Sequence, residues 1–454
     1  MKKMFKGLLA LMAILALGLV LVACGDEAPE VAGQTPEAPP VVTPPTPQAP
    51  PVDETPDPVE ISVWWWGGDF RHAQTIEVIE LFQDRYPHIT VNYDFAGFAD
   101  YWTMLTTAAA GNQLPTVLQM DLTRLSEYTE NNLIIGLNDF INSGQIDMSN
   151  VNMPVYQGQL NLGGEYMAIS LGANGFAMVY NTDLADELGL EFSPELTWDE
   201  FGDMLRVARD ERDDFYGFVF GAHYEVLNIY MRDAGYSMYG DGEFTGSRDV
   251  LIDFFTMIEE WTNDGIMLTL EREDALSEGQ STLYSEIVIA QTFASNQIVH
   301  QQNHYMGEDG PTLGLALLPR IDGGRGGNWM RSSMQFSIGS QATPEEQAAG
   351  AKFINFFIND LEANEIMMAE RGAPISSAVR AHLAPLVSPV VARTFDILPT
   401  IAAHAAPADR ISPPQQAAVR GYVDRATEAV RFGDWTPEEA ADYIITGAED
   451  AFSW

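Results

Sequence analysis

The sequence predicts an α/β protein of two lobes, each organised around a doubly wound sheet. Three observations lead to that class. The 454 residues are 46% apolar, too long for one ordinary core and suited to two lobes of about 100 to 200 residues each. Between residues 59 and 120 strand-like and helix-like stretches alternate, the order that builds a mostly parallel sheet whose ligands lie beyond the carboxyl ends of its strands. The stretch 163–201 then leaves one compact unit and begins another in a single pass.

The chain starts with Lys2, Lys3 and Lys6, continues through an apolar run over 8–22 and reaches Leu21-Val22-Ala23-Cys24. A spanning helix needs about 20 apolar residues; this shorter run ending in small residues reads as a secretory signal over 1–23. Leu-Val-Ala-Cys resembles a bacterial lipobox, which makes Cys24, the single cysteine of the chain, the expected lipidation site. One cysteine also excludes a disulfide framework and a Cys-rich metal site. Residues 25–58 hold 11 prolines in 34 positions and no aromatic residue. Such a segment cannot bury enough apolar surface to fold, so 24–58 is expected to be a lipidated, Pro-rich tether.

The folded body is expected from Val59. Ile61-Ser-Val-Trp-Trp-Trp66 reads as a buried strand and Gly67-Gly68-Asp69 as the turn after it. Ile76, Ile79 and Phe82 share one helical face over 73–86, and Pro87 ends that helix. Residues 89–95 alternate as a strand does, 101–110 form a helix stopped by Gly111, and 117–120 are a third strand. Further on, 176–180 is a strand, Gly189 closes a short helix, and Thr197 with Glu200 three residues later forms a capping box.

Several of these stretches resemble a known family, the extracellular solute-binding proteins of ABC importers, in the group that includes maltose- and oligosaccharide-binding proteins. The family's "DGK-Y-ALP", "L-YNKDLF-KAGL" and "P-TWDEF" pattern matches Gly164-Glu165-Tyr166-Met167-Ala168-Ile169, Val179-Tyr180-Asn181-Thr182-Asp183-Leu184, Glu187-Leu188-Gly189-Leu190 and Thr197-Trp198-Asp199-Glu200-Phe201. Asp100-Tyr101 and Ala110-Gly111-Asn112-Gln113-Leu114-Pro115 resemble earlier signatures, with Thr116 where the family carries aspartate. Asp233-Ala-Gly-Tyr236, Thr343-Pro-Glu-Glu346 and Arg371-Gly-Ala-Pro374 continue the likeness. The resemblance implies a periplasmic-binding-protein-like fold with a hinge formed by several crossings of the chain, placing 59–168 plus 286–326 in lobe 1 and 169–285 plus 327–454 in lobe 2. Crossings are expected near 168–172, 285–290 and 320–328.

Aromatic residues at strand ends are the strongest site candidates, because a sugar packs its C–H face on an aromatic plane while its hydroxyls take hydrogen bonds. Successive strand residues point to opposite faces, so Trp64, Trp65 and Trp66 cannot all face one core. Trp65 and Trp66 are therefore candidates for the cleft edge, with the alternative of a thick buried sheet left open. Asp69 corresponds by resemblance to a ligand contact. Asp121 lies just past a strand end and is open between ligand contact and helix cap. Tyr224, Asn296 and Trp329 are further candidates, the first two by resemblance. Gly323–Gly327 lacks the Gly-Lys-Ser/Thr ending of a phosphate loop. His300 and His304 lack a third metal ligand. No catalytic residue, cofactor or metal is expected.

The net charge of −42 argues against nucleic acid as a partner. The expected function is capture of a small polar ligand, foremost a sugar or oligosaccharide, between the lobes of a monomer held to the membrane through Cys24, with delivery to ABC permease subunits as the resemblance implies. Three alternatives stay open: a polyamine or other cation as ligand, an extracytoplasmic polysaccharide hydrolase, and a ligand-sensing protein for a membrane receptor.

Overall fold

The structure is a computed structural model that describes residues 57–212, 215–240, 242–277, 282–285, 287–306, 311–406 and 413–453. The leader, Cys24 and the tether as far as residue 56 lie outside the described residues.

Two five-stranded sheets organise the body. In chain order their strands are β1 (Val59–Trp66), β2 (Ile89–Ala96), β3 (Val117–Met120), β4 (Ile169–Ser170) and β5 (Ala173–Asn181). There follow β6 (Gly217–Val219), β7 (Val288–Ala294), β8 (Leu313–Ala316), β9 (Met330–Ser332) and β10 (Gln335–Ile338). The first sheet runs β2-β1-β3-β10-β4, and the second β8-β5-β7-β6 with β9 also paired to β5. In the first, β1, β2 and β3 are parallel and β10 is antiparallel to both neighbours. The second is mixed: β7 and β6 are parallel, while β5 is antiparallel to β7, β8 and β9.

Helices cover both faces of the first sheet. In α1 (Asp69–Arg85) the buried Val78, Ile79 and Phe82 form the inward stripe, with Asp69 in the first turn and Arg85 in the last, each where the helix dipole favours its charge. α2 (Phe98–Ala110) lies on the opposite face and α3 (Leu122–Glu130) follows β3. Around the second sheet pack α4 (Trp198–Glu211), α5 (His223–Asp233) and α6 (Arg248–Asn263). The Thr197–Glu200 capping box at α4 has both reciprocal bonds. The same device starts α7 (Pro344–Asn359), at Thr343 and Glu346. After it come α8 (Pro389–His404), α9 (Gln416–Phe432) and α10 (Pro437–Phe452).

The chain leaves the first sheet between β4 and β5 and returns between β9 and β10. These crossings lie side by side. Leu171 N–H donates to Met334 O at 2.8 Å and Ser333 N–H to Gly172 O at 2.9 Å. α8 spans the same region, with Leu398 and Ile401 in the core of the first sheet and Val390 among residues packed with Val179 and Leu313 of the second.

The lobe boundaries differ from those expected. Within 286–326, β7 pairs with β5 from Ala290↔Tyr180 to Ala294↔Phe176, and β8 pairs with β5 as well, so both strands belong to the second sheet. The crossing expected near 285–290 is not found at β7, which lies in the second sheet beside β6, the strand before it. Conversely β10, within 327–454, sits in the first sheet, and α7 packs on β1 there. The return to the first sheet lies at 332–335, whereas the crossing expected near 320–328 was a departure toward lobe 2. The physical reason is that β10 is buried throughout and the first three residues of β7 are buried too. A strand buried on both faces shows no alternation that ties it to one neighbour.

Candidate ligand-binding site

A cleft of about 470 Å³ opens beside the crossings, walled by residues from both sheets. From the first-sheet side come Arg71 on α1 and the turn carrying Glu370, Arg371 and Gly372. From the second come Asn174 and Phe176 at the start of β5, Glu225 on α5, Asn296 after β7, Trp329 and Arg331 at β9, and Arg420 on α9. Ser332, Ser333 and Met334 of the return crossing line the cleft as well.

The turn before Glu370 holds two non-glycine residues in the left-handed region, Met368 at φ 46° and Ala369 at φ 60°, and Gly372 follows at φ 102°. Backbone held this way is strained and persists where surrounding contacts over-determine it. This turn carries two adjacent ionic side chains, Glu370 and Arg371. Arg71 Nε lies 2.9 and 2.8 Å from the two carboxylate oxygens of Glu370, and Arg71 Nη1 donates to Trp66 O at 3.3 Å. Arg371 is 3% exposed. Its Nη2 donates to Thr75 Oγ1 at 2.7 Å and its Nε to Gln119 Oε1 at 3.3 Å, while its face rests 5.1 Å from the Phe357 ring centre. Nη1 makes no hydrogen bond and lies 3.8 Å from Glu370 Oε2. Burial, with Arg71 alongside, pushes the Arg371 pKa down to about 9.

On the second-sheet side Trp329 lies nearly parallel to Phe176, at 16° with ring centres 6.5 Å apart, and its buried Nε1 has no partner. Arg420 Nη2 donates to Glu225 Oε1 at 2.7 Å and stacks 4.8 Å above Tyr224. Glu225 Oε2 is buried and unmatched.

Of the sequence candidates, Asn296 and Trp329 line this cleft and the other five do not. Trp65 is fully buried, with Nε1 donating to His72 Nδ1 at 3.1 Å on the α1 face. Trp66 is 7% exposed and packs on Phe98, Tyr101 and Trp102 of α2. The alternation argument holds, but both faces are roofed by helices, so pointing away from one core means pointing into another. Asp69 is exposed in the first turn of α1. Asp121 caps α3, its Oδ1 accepting from Thr123 N–H at 2.9 Å. Tyr224 is 1% exposed and donates to Tyr239 at 3.0 Å, one layer behind Arg420, and burial raises its pKa to about 12. Arg71, Glu225, Arg331, Glu370, Arg371 and Arg420 line the cleft but are not among the sequence candidates; Arg371-Gly-Ala-Pro374 and the stretch Ala222-His-Tyr-Glu225 are the two signals that contain any of them.

Two α/β sheets joined by adjacent crossings, with a polar cleft lined from both, define a two-lobe ligand-binding protein. Residues 72–360 match the model of the bacterial extracellular solute-binding proteins, and the chain belongs to that family. Among solved structures it is similar to an extracellular solute-binding protein family 1 member from Alicyclobacillus acidocaldarius, with TM-score 0.80 and 22% identity over 88% of this chain and 100% of that one. A periplasmic oligogalacturonide binding protein from Yersinia enterocolitica matches with TM-score 0.72 and 20% identity, covering 87% of this chain and 99% of the other. A cyclic alpha-maltosyl-1,6-maltose binding protein from Arthrobacter globiformis matches with TM-score 0.65 and 17% identity, over 87% and 99%. Among the described residues no helix is long and apolar enough to cross a membrane, and no group of His, Cys, Asp or Glu could hold a metal ion.

Proposed function

We propose that this protein captures a saccharide in the cleft between its two sheets and delivers it to the permease of an ABC importer. The observation that carries the reading is the half-buried Trp329 ring at the cleft wall, backed by the buried Phe176 and carrying an unmatched indole N–H. A sugar presents to such a surface both an apolar face and hydroxyl acceptors. The Yersinia and Arthrobacter proteins are named for saccharide ligands, which supports the same class here. Contacts made by the ligand to both walls favour the closed arrangement over the open one.

The test is reversible thermal stabilisation of the purified protein by oligosaccharides, with product analysis of the same samples. Stabilisation with no product supports capture; released product would replace the importer reading with a hydrolase. The lipid anchor on Cys24 belongs to the same proposal. Cys24→Ala is expected to shift the protein from the membrane fraction to the medium, and unchanged membrane association would remove the anchor.

A further inference from the structure

From the charges around the cleft we infer that its saccharide carries a carboxylate, that is, a uronate unit. The inference rests on the saccharide-capture reading and names its substrate class.

Acidic residues outnumber basic ones 65 to 23 over the chain, whereas the cleft reverses the ratio, with four arginines and two glutamates. The excess is distributed over both walls. On the first-sheet side Arg71 and Arg371 share Glu370, and Arg371 Nη1 is buried without a hydrogen bond. On the second-sheet side Arg420 is paired with Glu225, while Arg331 forms no ion pair among the described residues. A guanidinium serving only as an internal staple would be expected to have its buried donors satisfied. Arg371 has two of its three nitrogens engaged, by Thr75 and Gln119, and the third faces the Glu370 carboxylate beyond hydrogen-bond reach.

Burying a guanidinium with one donor unmatched is unfavourable, and an anion brought to it recovers the lost interaction. Planar, forked donors match a carboxylate geometrically as well as electrically. Arg331 lines the same cleft from β9, so a carboxylate bound there meets positive charge from both walls. A cationic ligand would meet the opposite field.

The test compares uronate oligosaccharides of several linkages with their methyl esters, which keep shape but lose charge, and with their neutral hexose and sulfated counterparts. The readouts are thermal stabilisation and calorimetric titration of the purified protein. At least one free uronate is expected to bind ten-fold or more tightly than its ester and its neutral counterpart, and the advantage should shrink as salt rises and screens the charges. Arg331→Gln, at an exposed position outside the cores, should cut the acid-over-ester preference at least three-fold. Equal binding of acid and ester, tighter binding of neutral sugars, or a preference for the sulfated forms would each overturn the uronate assignment and leave saccharide capture standing. Stabilisation by no saccharide of any class would bring down both readings.

Discussion

Ser333 donates its backbone N–H to the carbonyl of Gly172 over 2.9 Å, tying the return crossing of the chain to the outgoing one. Gly172 also faces Arg371: a Cβ at this position would collide with Arg371 O. The hinge and the cleft therefore share backbone atoms, and a change in one is felt in the other.

Gly172→Ala forces that contact apart, and overfilling a packed site costs about 1–3 kcal/mol. A lower midpoint in chemical denaturation is expected, together with weaker ligand binding because Arg371 is displaced. An alanine variant with unchanged midpoint and affinity would show that the crossings yield freely.

Trp329 and Trp65 should separate cleanly. Trp329→Ala, at the cleft, is expected to weaken saccharide affinity about ten-fold, which corresponds to about 1.4 kcal/mol, with a small change in melting temperature. Trp65→Ala empties a fully buried site and should cost about 3–5 kcal/mol of stability. Calorimetric titration and thermal melts on both variants read the contrast; the reverse pattern would move the binding surface to the end of β1.

His72 supplies a pH dependence. Burial lowers its pKa from 6.5; Asp69 and Glu370 oppose that and Arg71 and Arg371 add to it. Trp65 donates to Nδ1, which requires the neutral ring. Because the folded pKa is below the unfolded one, the unfolded chain binds more protons as pH falls through 6.5, and stability declines until the folded pKa is passed. Denaturation midpoints of the native protein and His72→Gln should therefore diverge between pH 7 and 5, with the native protein losing more. Parallel curves would discount the histidine.

Thr197→Ala removes one half of the capping box of α4 and is expected to cost about 1 kcal/mol. A Thr197→Ser variant should recover most of it, since the hydroxyl acceptor returns.

Local structure was legible wherever its cause is local. The Thr197–Glu200 box spans four residues, Gly189 ends its helix at φ 63°, and β3 runs over 117–120 as read. α1 begins earlier than its apolar face, at Asp69, because Gly68 caps it through backbone geometry alone. The site was less legible. Asn296 and Trp329 are found in the cleft, but its arginines come from 71, 331, 371 and 420, four positions that no spacing rule connects.

By itself, then, the sequence determined the α/β class, the strand through Ile61–Trp66, the capped helix at Thr197 and the family pattern, since periodicity and capping act within one or two turns. Tertiary structure decided that β7 joins the second sheet and β10 the first, and that Trp65 is core while Trp329 faces the cleft. Strands buried on both faces carry no mark of their neighbours, and whether an aromatic ring meets a helix or a ligand depends on what packs above it from hundreds of residues away.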